Sequence, residues 1–249
     1  MDRYGLIGYP LGHSFSQKYF TEKFGREGID ARYDLFPLTK IGEVEKLIDN
    51  TPGLKGFNVT IPYKQQIIKY LEWMDEEANA IGAVNVVTVR HAADGRVVLT
   101  GHNSDAYGFT ESIRPMLKET DKKALVLGSG GASKAVTYSL KKLGVNPIVV
   151  SRHPAAGQMA YADIDAMALK DFTVVINASP VGMFPHTDEC PDIPYNLLSD
   201  RHVCFDLVYN PEETLFLKRA AEHGASVKNG LEMLRLQAEG AWKMWQQIK

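Results

Sequence analysis

The chain has 249 residues, 45% hydrophobic and 10% aromatic, with 28 basic against 30 acidic side chains and a formal charge of −2. That length accommodates one large α/β domain or two of about 100 to 150 residues, and the composition excludes the low-hydrophobicity, high-charge signature of disorder. A near-neutral balance without a dense Lys/Arg run argues against a protein built to neutralise nucleic-acid phosphates or anionic lipid, and favours a small-molecule partner.

The opening MDRYGLIGYP has neither a basic leader nor a long apolar run, so neither export nor membrane insertion is expected and the cytoplasm is the default compartment. Short β-rich runs then alternate with helical stretches: GLIGY, SFSQKYFTEKF, RYDLF, IGEVEKLID, FNVT and PYKQQIIKYLEWM. This alternation predicts an α/β domain with mostly parallel sheet. Two further β-rich runs flank Asp94-Gly95, a dipeptide suited to the positive φ angles of a tight turn, and predict a hairpin at the edge of that domain.

From Lys122 the pattern restarts as strand, glycine-rich turn and helix in KALVLGSGGASKAVTYSLKKLG, followed by the strand PIVVSR. A second domain begins there. FTVVINA and HVCFDLV are later strands, and the helix ETLFLKRAAEHG ends on a glycine suited to a helix C-terminus. In the last segment Leu231, Leu234, Ala238, Trp242 and Trp245 recur at helical spacing and predict an amphipathic helix that must pack on a partner surface.

Gly128, Ser129, Gly130, Gly131, Ala132 and Ser133 follow an apolar strand and open a helix, the context that makes a glycine pattern a dinucleotide fingerprint. Gly128 allows the turn, Gly130 lets a pyrophosphate approach the backbone, and the helix N-terminus offers unpaired N–H groups. About twenty residues on, where an acid normally binds a ribose 2′-hydroxyl, the chain has Ser151, Arg152 and His153. A guanidinium there suits a 2′-phosphate, so NADP is the expected cofactor.

A second polar cluster lies in the first half: Ser14, Ser16, Asn58, Thr60, Lys64, Asn85 and Asn103 to Asp105. Singly, such Ser and Asn residues form caps and turns; together, at strand ends of a parallel sheet, they mark a ligand site. Pro62 suits the first position of a helix, which would put Lys64 in a first turn where the dipole disfavours a cation and brings the amine towards proton exchange near neutrality. Asp105 opposes part of that effect while orienting the ammonium. The two cysteines, Cys190 and Cys204, have no metal or redox spacing, and the seven histidines form no HxxxH-like pair, so no metal is expected and the histidines fall to loop, surface or cofactor-edge positions.

With these residues in view, the chain resembles the shikimate dehydrogenase family through GYPLGHSFS, GFNVTIPYK, IGAVN, GHNSDAYG, GSGGAS, INASPVGM, FDLVYNPEETLFL and NGLEMLRLQA, in that order. The resemblance implies a substrate domain of residues 1–103 plus 231–249, a Rossmann-type NADP-binding domain of residues 104–230, and a cleft that closes over both ligands. It implies that Ser14, Ser16 and Tyr209 hold the substrate carboxylate, that Thr60, Lys64, Asn85, Asp105 and Gln237 surround the ring hydroxyls and reacting carbonyl, and that Lys64 and Asp105 form the proton-transfer pair. On the cofactor side it implicates Gly128 to Ala132, Ser151 to His153, Leu207, Gly230 and Glu76.

The implied reaction is the reversible, NADPH-dependent reduction of 3-dehydroshikimate to shikimate in chorismate and aromatic amino-acid biosynthesis, by a monomer or homodimer without nucleic-acid or membrane partners. No second basic residue closely follows Arg152, Ser104 stands where the family often has Thr, and Val86 follows Asn85 where Thr is frequent. Two other readings compete: an enzyme that also oxidises quinate or uses NAD, and a nucleotide-binding module that lost its chemistry. The second predicts loss of Lys64 or Asp105, and both are present.

Overall fold

The computed structural model describes residues 1–12 and 14–247, and divides the chain into two compact units, Met1–Ser104 with Ala238–Lys249 and Asp105–Gln237. His13, one of the seven histidines, lies outside the described residues.

The first unit is built on a six-stranded sheet. Its strands are β1 (Asp2–Gly8), β2 (Ala31–Pro37), β3 (Leu54–Val59), β4 (Trp73–Met74), β5 (Val86–His91) and β6 (Val97–His102), in the order β2-β1-β3-β5-β6-β4. Strands β2, β1 and β3 run parallel, β5 is antiparallel to both β3 and β6, and β4 pairs parallel with β6. Helix α1 (Phe15–Glu27) makes the β1–β2 crossover and ends on Gly28, whose left-handed φ of 64° permits the stop. One sheet face buries Ile7, Phe57, Val59 and Val87 with Ile67 and with Val44 of α2 (Val44–Asp49), and the other buries Tyr4, Leu6, Phe20, Phe24 and Tyr33.

Two local expectations change. The hairpin is present, but β4 lies outside it, so β6 is not the sheet edge. At its turn only Gly95 takes a positive φ, 84°, while the Asp94 carboxylate accepts from the Arg96 N–H at 3.1 Å. The loop is therefore longer than a two-residue turn, closed by the Ala92 N–H on the Arg96 carbonyl at 2.8 Å.

Nor does PYKQQIIKYLEWM form the expected helix. It gives one short 3-10 turn at Gln66–Tyr70 and then β4. The reason is a lost acceptor: the Lys64 carbonyl takes the Val84 N–H at 2.8 Å, whereas an α-helix would give it to residue 68, and the Ile68 N–H turns to Gln65 instead. The buried Tyr63 also anchors the segment, its hydroxyl donating to the Leu38 carbonyl at 2.6 Å.

The second unit carries six parallel strands, β7 (Lys123–Leu127), β8 (Asn146–Ser151), β9 (Met159–Ala160), β10 (Val174–Asn177), β11 (Val203–Asp206) and β12 (Ser226–Lys228). Their order, β12-β11-β10-β7-β8-β9, is the doubly wound arrangement whose direction of winding reverses between β7 and β10. The central strands are apolar on both faces, with Leu125, Val126, Leu127, Val174, Val175 and Ile176 fully buried, as parallel strands sandwiched between helices require. Helix α5 (Gly131–Lys142) follows β7, α6 (Ala166–Asp171) precedes β10, and α7 (Leu215–Glu222) is capped by Thr214 and followed by Gly224 at a φ of 86°.

Helix α8 (Leu231–Gln246) belongs to both units, the division falling between Gln237 and Ala238. In the second unit Met233 is buried, and the close approach of its turn to α4 (Asp105–Ile113) leaves no room for a side chain at Gly108. In the first unit Ala238, Ala241 and Trp245 are buried, and the Trp245 indole lies over the bare backbone of Gly56 while donating to the Val87 carbonyl at 3.1 Å. The amphipathic face is thus real, although Met233 and Ala241 replace Leu231 and Leu234 as its most buried members.

Candidate active site

The polar residues of the first unit gather at one end of its sheet: the C-terminal ends of β1, β3 and β6 and the start of the antiparallel β5. They are joined by hydrogen bonds. The Asn85 amide donates to Ser104 Oγ at 3.1 Å, and its oxygen accepts from the Ser104 N–H at 2.8 Å. The Asn58 amide donates to the Asn85 carbonyl at 3.2 Å, and the Tyr33 hydroxyl donates to Asn58 Oδ1 at 2.8 Å. Burial pushes the Tyr33 phenol's pKa upwards.

Ser14 is the N-cap of α1, accepting from the Gln17 N–H at 3.4 Å. Acting there as an acceptor, its hydroxyl keeps a proton to donate. Thr60 follows β3 and is held by its N–H on the Ile7 carbonyl at 2.9 Å. Lys64 is half-buried, in the turn before Gln66–Tyr70 and not in a helix, so the helix dipole expected from Pro62 does not act on it. What positions it is the Val84 N–H bond to its carbonyl, which sets Lys64 beside the Val84-Asn85 segment. At the same sheet end Asp75 caps α3 (Glu76–Ile81) and lies 2.7 Å from His102 Nδ1. Its burial favours the neutral acid, but the His102 and Ala78 hydrogen bonds prevail and hold the carboxyl below its usual pKa.

In the second unit Asp105 is buried as the first residue of α4, where the helix dipole favours a carboxylate. Gln237 lies half-buried in α8, and Tyr209 half-buried after β11, its pKa raised by burial. The glycine-rich turn adopts the form its sequence demands: Gly128 has φ 112°, and a Cβ there would press on the Ala178 carbonyl at 3.1 Å. Gly130 caps α5 with extended backbone and open space where a Cβ would stand. Ser129, Gly131 and Ala132 complete the turn, and buried Ser133 closes it by donating to the Gly130 carbonyl at 2.7 Å. These open backbone N–H groups at a twelve-residue helix fit a pyrophosphate.

Ser151 ends β8, the neighbour of β7, and its hydroxyl accepts from the His153 N–H at 3.2 Å; Arg152 and His153 are exposed. Leu207 and Gly230 are brought together, because a Cβ on Gly230 would overlap the Leu207 carbonyl. Glu76 belongs to the first unit, exposed at the start of α3, whereas the other cofactor candidates belong to the second. His202 keeps a loop position, immediately before β11, but not a surface one: it is buried, accepting at Nδ1 from the Ser199 N–H at 3.0 Å with Nε2 2.9 Å from the Leu169 carbonyl.

Sequence reading missed Tyr33 and Asp206. Tyr33 looked like one more aromatic of an alternating strand. Asp206, fully buried at the end of β11, accepts from Thr214 Oγ1 at 2.6 Å, the Val208 N–H at 2.9 Å and the Asn177 amide at 2.9 Å. Asn177 also takes the Ser179 hydroxyl at 2.6 Å, so one carboxyl ties the loop after β10 to the segment carrying Leu207 and Tyr209. A short polar side chain inside FDLV, followed by a cap residue in ETLFL, was the available signal.

Burial outweighs those hydrogen bonds and pushes the Asp206 carboxyl up to about 7. Between its unfolded value and about 7 the folded state holds a proton that the unfolded chain releases, so this group's contribution to stability falls as pH rises through that window. Asp206→Asn is expected to remove up to about 4 kcal/mol of that pH dependence, read from denaturant unfolding of both proteins between about pH 4 and 8. Parallel curves for the two proteins would mean that the carboxyl is ionised throughout.

Comparison with known proteins extends this geometry. The family profile described as the shikimate dehydrogenase substrate binding domain matches residues 6–87. A shikimate dehydrogenase (NADP(+)) of Caldanaerobacter subterraneus subsp. tengcongensis is 34% identical, over 97% of this chain and 90% of that protein. One from Methanococcus maripaludis is 36% identical over 98% and 92%. Among solved structures, shikimate 5-dehydrogenase from Thermus thermophilus in complex with NADP(H) and shikimate matches with a TM-score of 0.85 at 30% identity, covering 100% of this chain and 94% of that one. A two-unit α/β architecture, a doubly wound second sheet and this identity along nearly the whole chain place the protein in the shikimate dehydrogenase family.

Proposed function

We propose that this protein is an NADP-dependent shikimate dehydrogenase, catalysing the reversible reduction of 3-dehydroshikimate to shikimate in the route to chorismate and the aromatic amino acids. The observation that carries the reading is 34% to 36% identity, over 97% to 98% of the chain, to proteins of that activity. Residues 1–103 with 231–249 take the substrate, and residues 104–230 the cofactor. A cytoplasmic location and a monomeric or dimeric state belong to the same reading; among the described residues no helix is long and apolar enough to cross a membrane.

NADPH, when bound, supplies the hydride. The backbone N–H groups of Gly128 to Ala132 hold its pyrophosphate, Arg152 with Ser151 and His153 holds the 2′-phosphate, and Leu207 and Gly230 shape the remaining wall. Glu76 is a peripheral candidate. Ser14, Ser16 and Tyr209 hold the substrate carboxylate, while Thr60, Asn85 and Gln237 fix the ring hydroxyls, so orientation is set before reaction. Lys64 gives a proton to the carbonyl oxygen as negative charge develops there, and Asp105 orients the ammonium and serves the return of the proton.

The test is steady-state formation of reduced nicotinamide with shikimate, using NADP⁺ and NAD⁺ in parallel, then quinate under the same conditions. Turnover favouring shikimate and NADP⁺ is the expected result. Preference for NAD⁺ or quinate would replace it with the broader enzyme, and tight ligand binding without turnover would replace it with a binding module.

A further inference from the structure

We propose that Gly108 is a positioning residue: the bare backbone it gives α4 lets α8 lie against it, and that contact sets the reach of the Gln237 carboxamide. The inference rests on the substrate reading above, which assigns Asp105 and Gln237 to the ring hydroxyls and the reacting carbonyl.

Glycine weakens a helix interior, so its presence inside α4 calls for a local cause. The cause is the neighbouring helix. A Cβ at Gly108 would stand 2.6 Å from the Met233 carbonyl oxygen and 3.1 Å from both the backbone nitrogen and the Cβ of Gln237. None of these atoms is the far end of a flexible side chain. Met233 and Gln237 are one turn apart on α8, as Asp105 and Gly108 are on α4, so the two site candidates lie on adjoining turns of touching helices. Both sides of the contact belong to the second unit.

Helix α4 cannot retreat from an added methyl group. Its other side is held to α5 by the buried Ser139 hydroxyl, which donates to the Ala106 carbonyl at 3.1 Å, and the fully buried Phe109 packs edge-on to Phe205 with ring centroids 5.3 Å apart. Helix α8 has to yield instead. Its start is also pinned, Ser112 Oγ donating to Glu232 Oε2 at 3.2 Å, so the displacement falls on the turn beyond, the one that carries Gln237. Asp105 stays with the anchored α4, and the carboxamide moves relative to the carboxylate.

The experiment is a double-mutant cycle of Gly108→Ala and Gln237→Ala, with kcat/KM for shikimate and Tm measured on all four proteins. Gln237→Ala keeps the Cβ and the backbone nitrogen that Gly108→Ala meets, so the steric conflict is the same in both backgrounds. Only the carboxamide differs. Gly108→Ala is expected to lower kcat/KM about tenfold in the parent and less than about twofold beside Gln237→Ala, while lowering Tm equally in both. Equal kinetic losses in the two backgrounds, or no loss in the parent, overturn the proposal, because a glycine that only packs two helices acts without regard to the carboxamide.

A second variant keeps Gly108 intact should Gly108→Ala fail to fold. Gln237→Asn shortens the side chain by one methylene, and a backbone held by the Gly108 contact cannot advance to make up the length. Its kcat/KM is expected to fall to within about twofold of that of Gln237→Ala. An asparagine that keeps the parent's kcat/KM overturns the proposal, since the helix would then be free to adjust. A parent that does not turn over shikimate at all sinks the functional reading instead, and is distinguished by that alone.

Discussion

Replacing Lys64 by alanine is expected to lower kcat for shikimate by about 10²- to 10⁴-fold while KM changes far less. Proton transfer to or from the reacting oxygen is made in the transition state, so losing the amine removes an interaction that the ground state barely uses. Lys64 is held by its carbonyl on the Val84 N–H, and the neighbouring anchor is Tyr63 on Leu38, neither of which involves the amine. Steady-state kinetics with saturating NADP⁺ give the answer, and a kcat within about twofold of the parent's would remove Lys64 from the chemical step.

The second large effect is expected at Gly230. A methyl group there overlaps the Leu207 carbonyl oxygen and crowds the Leu207 carbonyl and α-carbons, all backbone atoms that cannot rotate aside. Gly230→Ala must therefore push the start of α8 off the end of β11, costing about 1 to 3 kcal/mol or more. Both displaced segments carry cofactor candidates, so KM for NADP⁺ should rise by about tenfold alongside a lower Tm. The measurement is thermal unfolding together with cofactor titration; an unchanged Tm and KM would show that the two backbones can part without consequence.

The two expectations test different kinds of reading. The importance of Lys64 was visible in NVTIPYK, although its non-helical setting was not, because the donor that takes the Lys64 carbonyl is the Val84 N–H, twenty positions away in the chain. Gly230 could be named only by resemblance. Nothing in NGLEM indicates that the Leu207 backbone lies against it, and that contact joins segments separated by two elements, α7 and β12.

Strong local patterns were legible from sequence because one physical cause dominates each. The β7 strand, its glycine-rich turn and α5 follow from apolar residues buried on both faces, a backbone conformation open to Gly128, and a helix start at Gly131. The end of α7 before Gly224 has the same character. Where propensity was ambiguous, as in PYKQQIIKYLEWM, helical periodicity lost to two long-range hydrogen bonds and the buried Tyr63.

By itself, then, the sequence determined the α/β alternation, the restart of the pattern at Lys122, the nucleotide-binding turn and the set of polar residues at strand ends, since each depends on neighbours a few positions apart. The tertiary structure alone decided how those polar residues are wired. Tyr33, Asn58, Asn85 and Ser104 come from four separate segments, and Asp206 gathers Asn177, Val208 and Thr214 around a carboxyl that burial pushes to about 7. A hydrogen-bond direction and a desolvated charge depend on which groups meet and how much water is left between them, and chain order specifies neither.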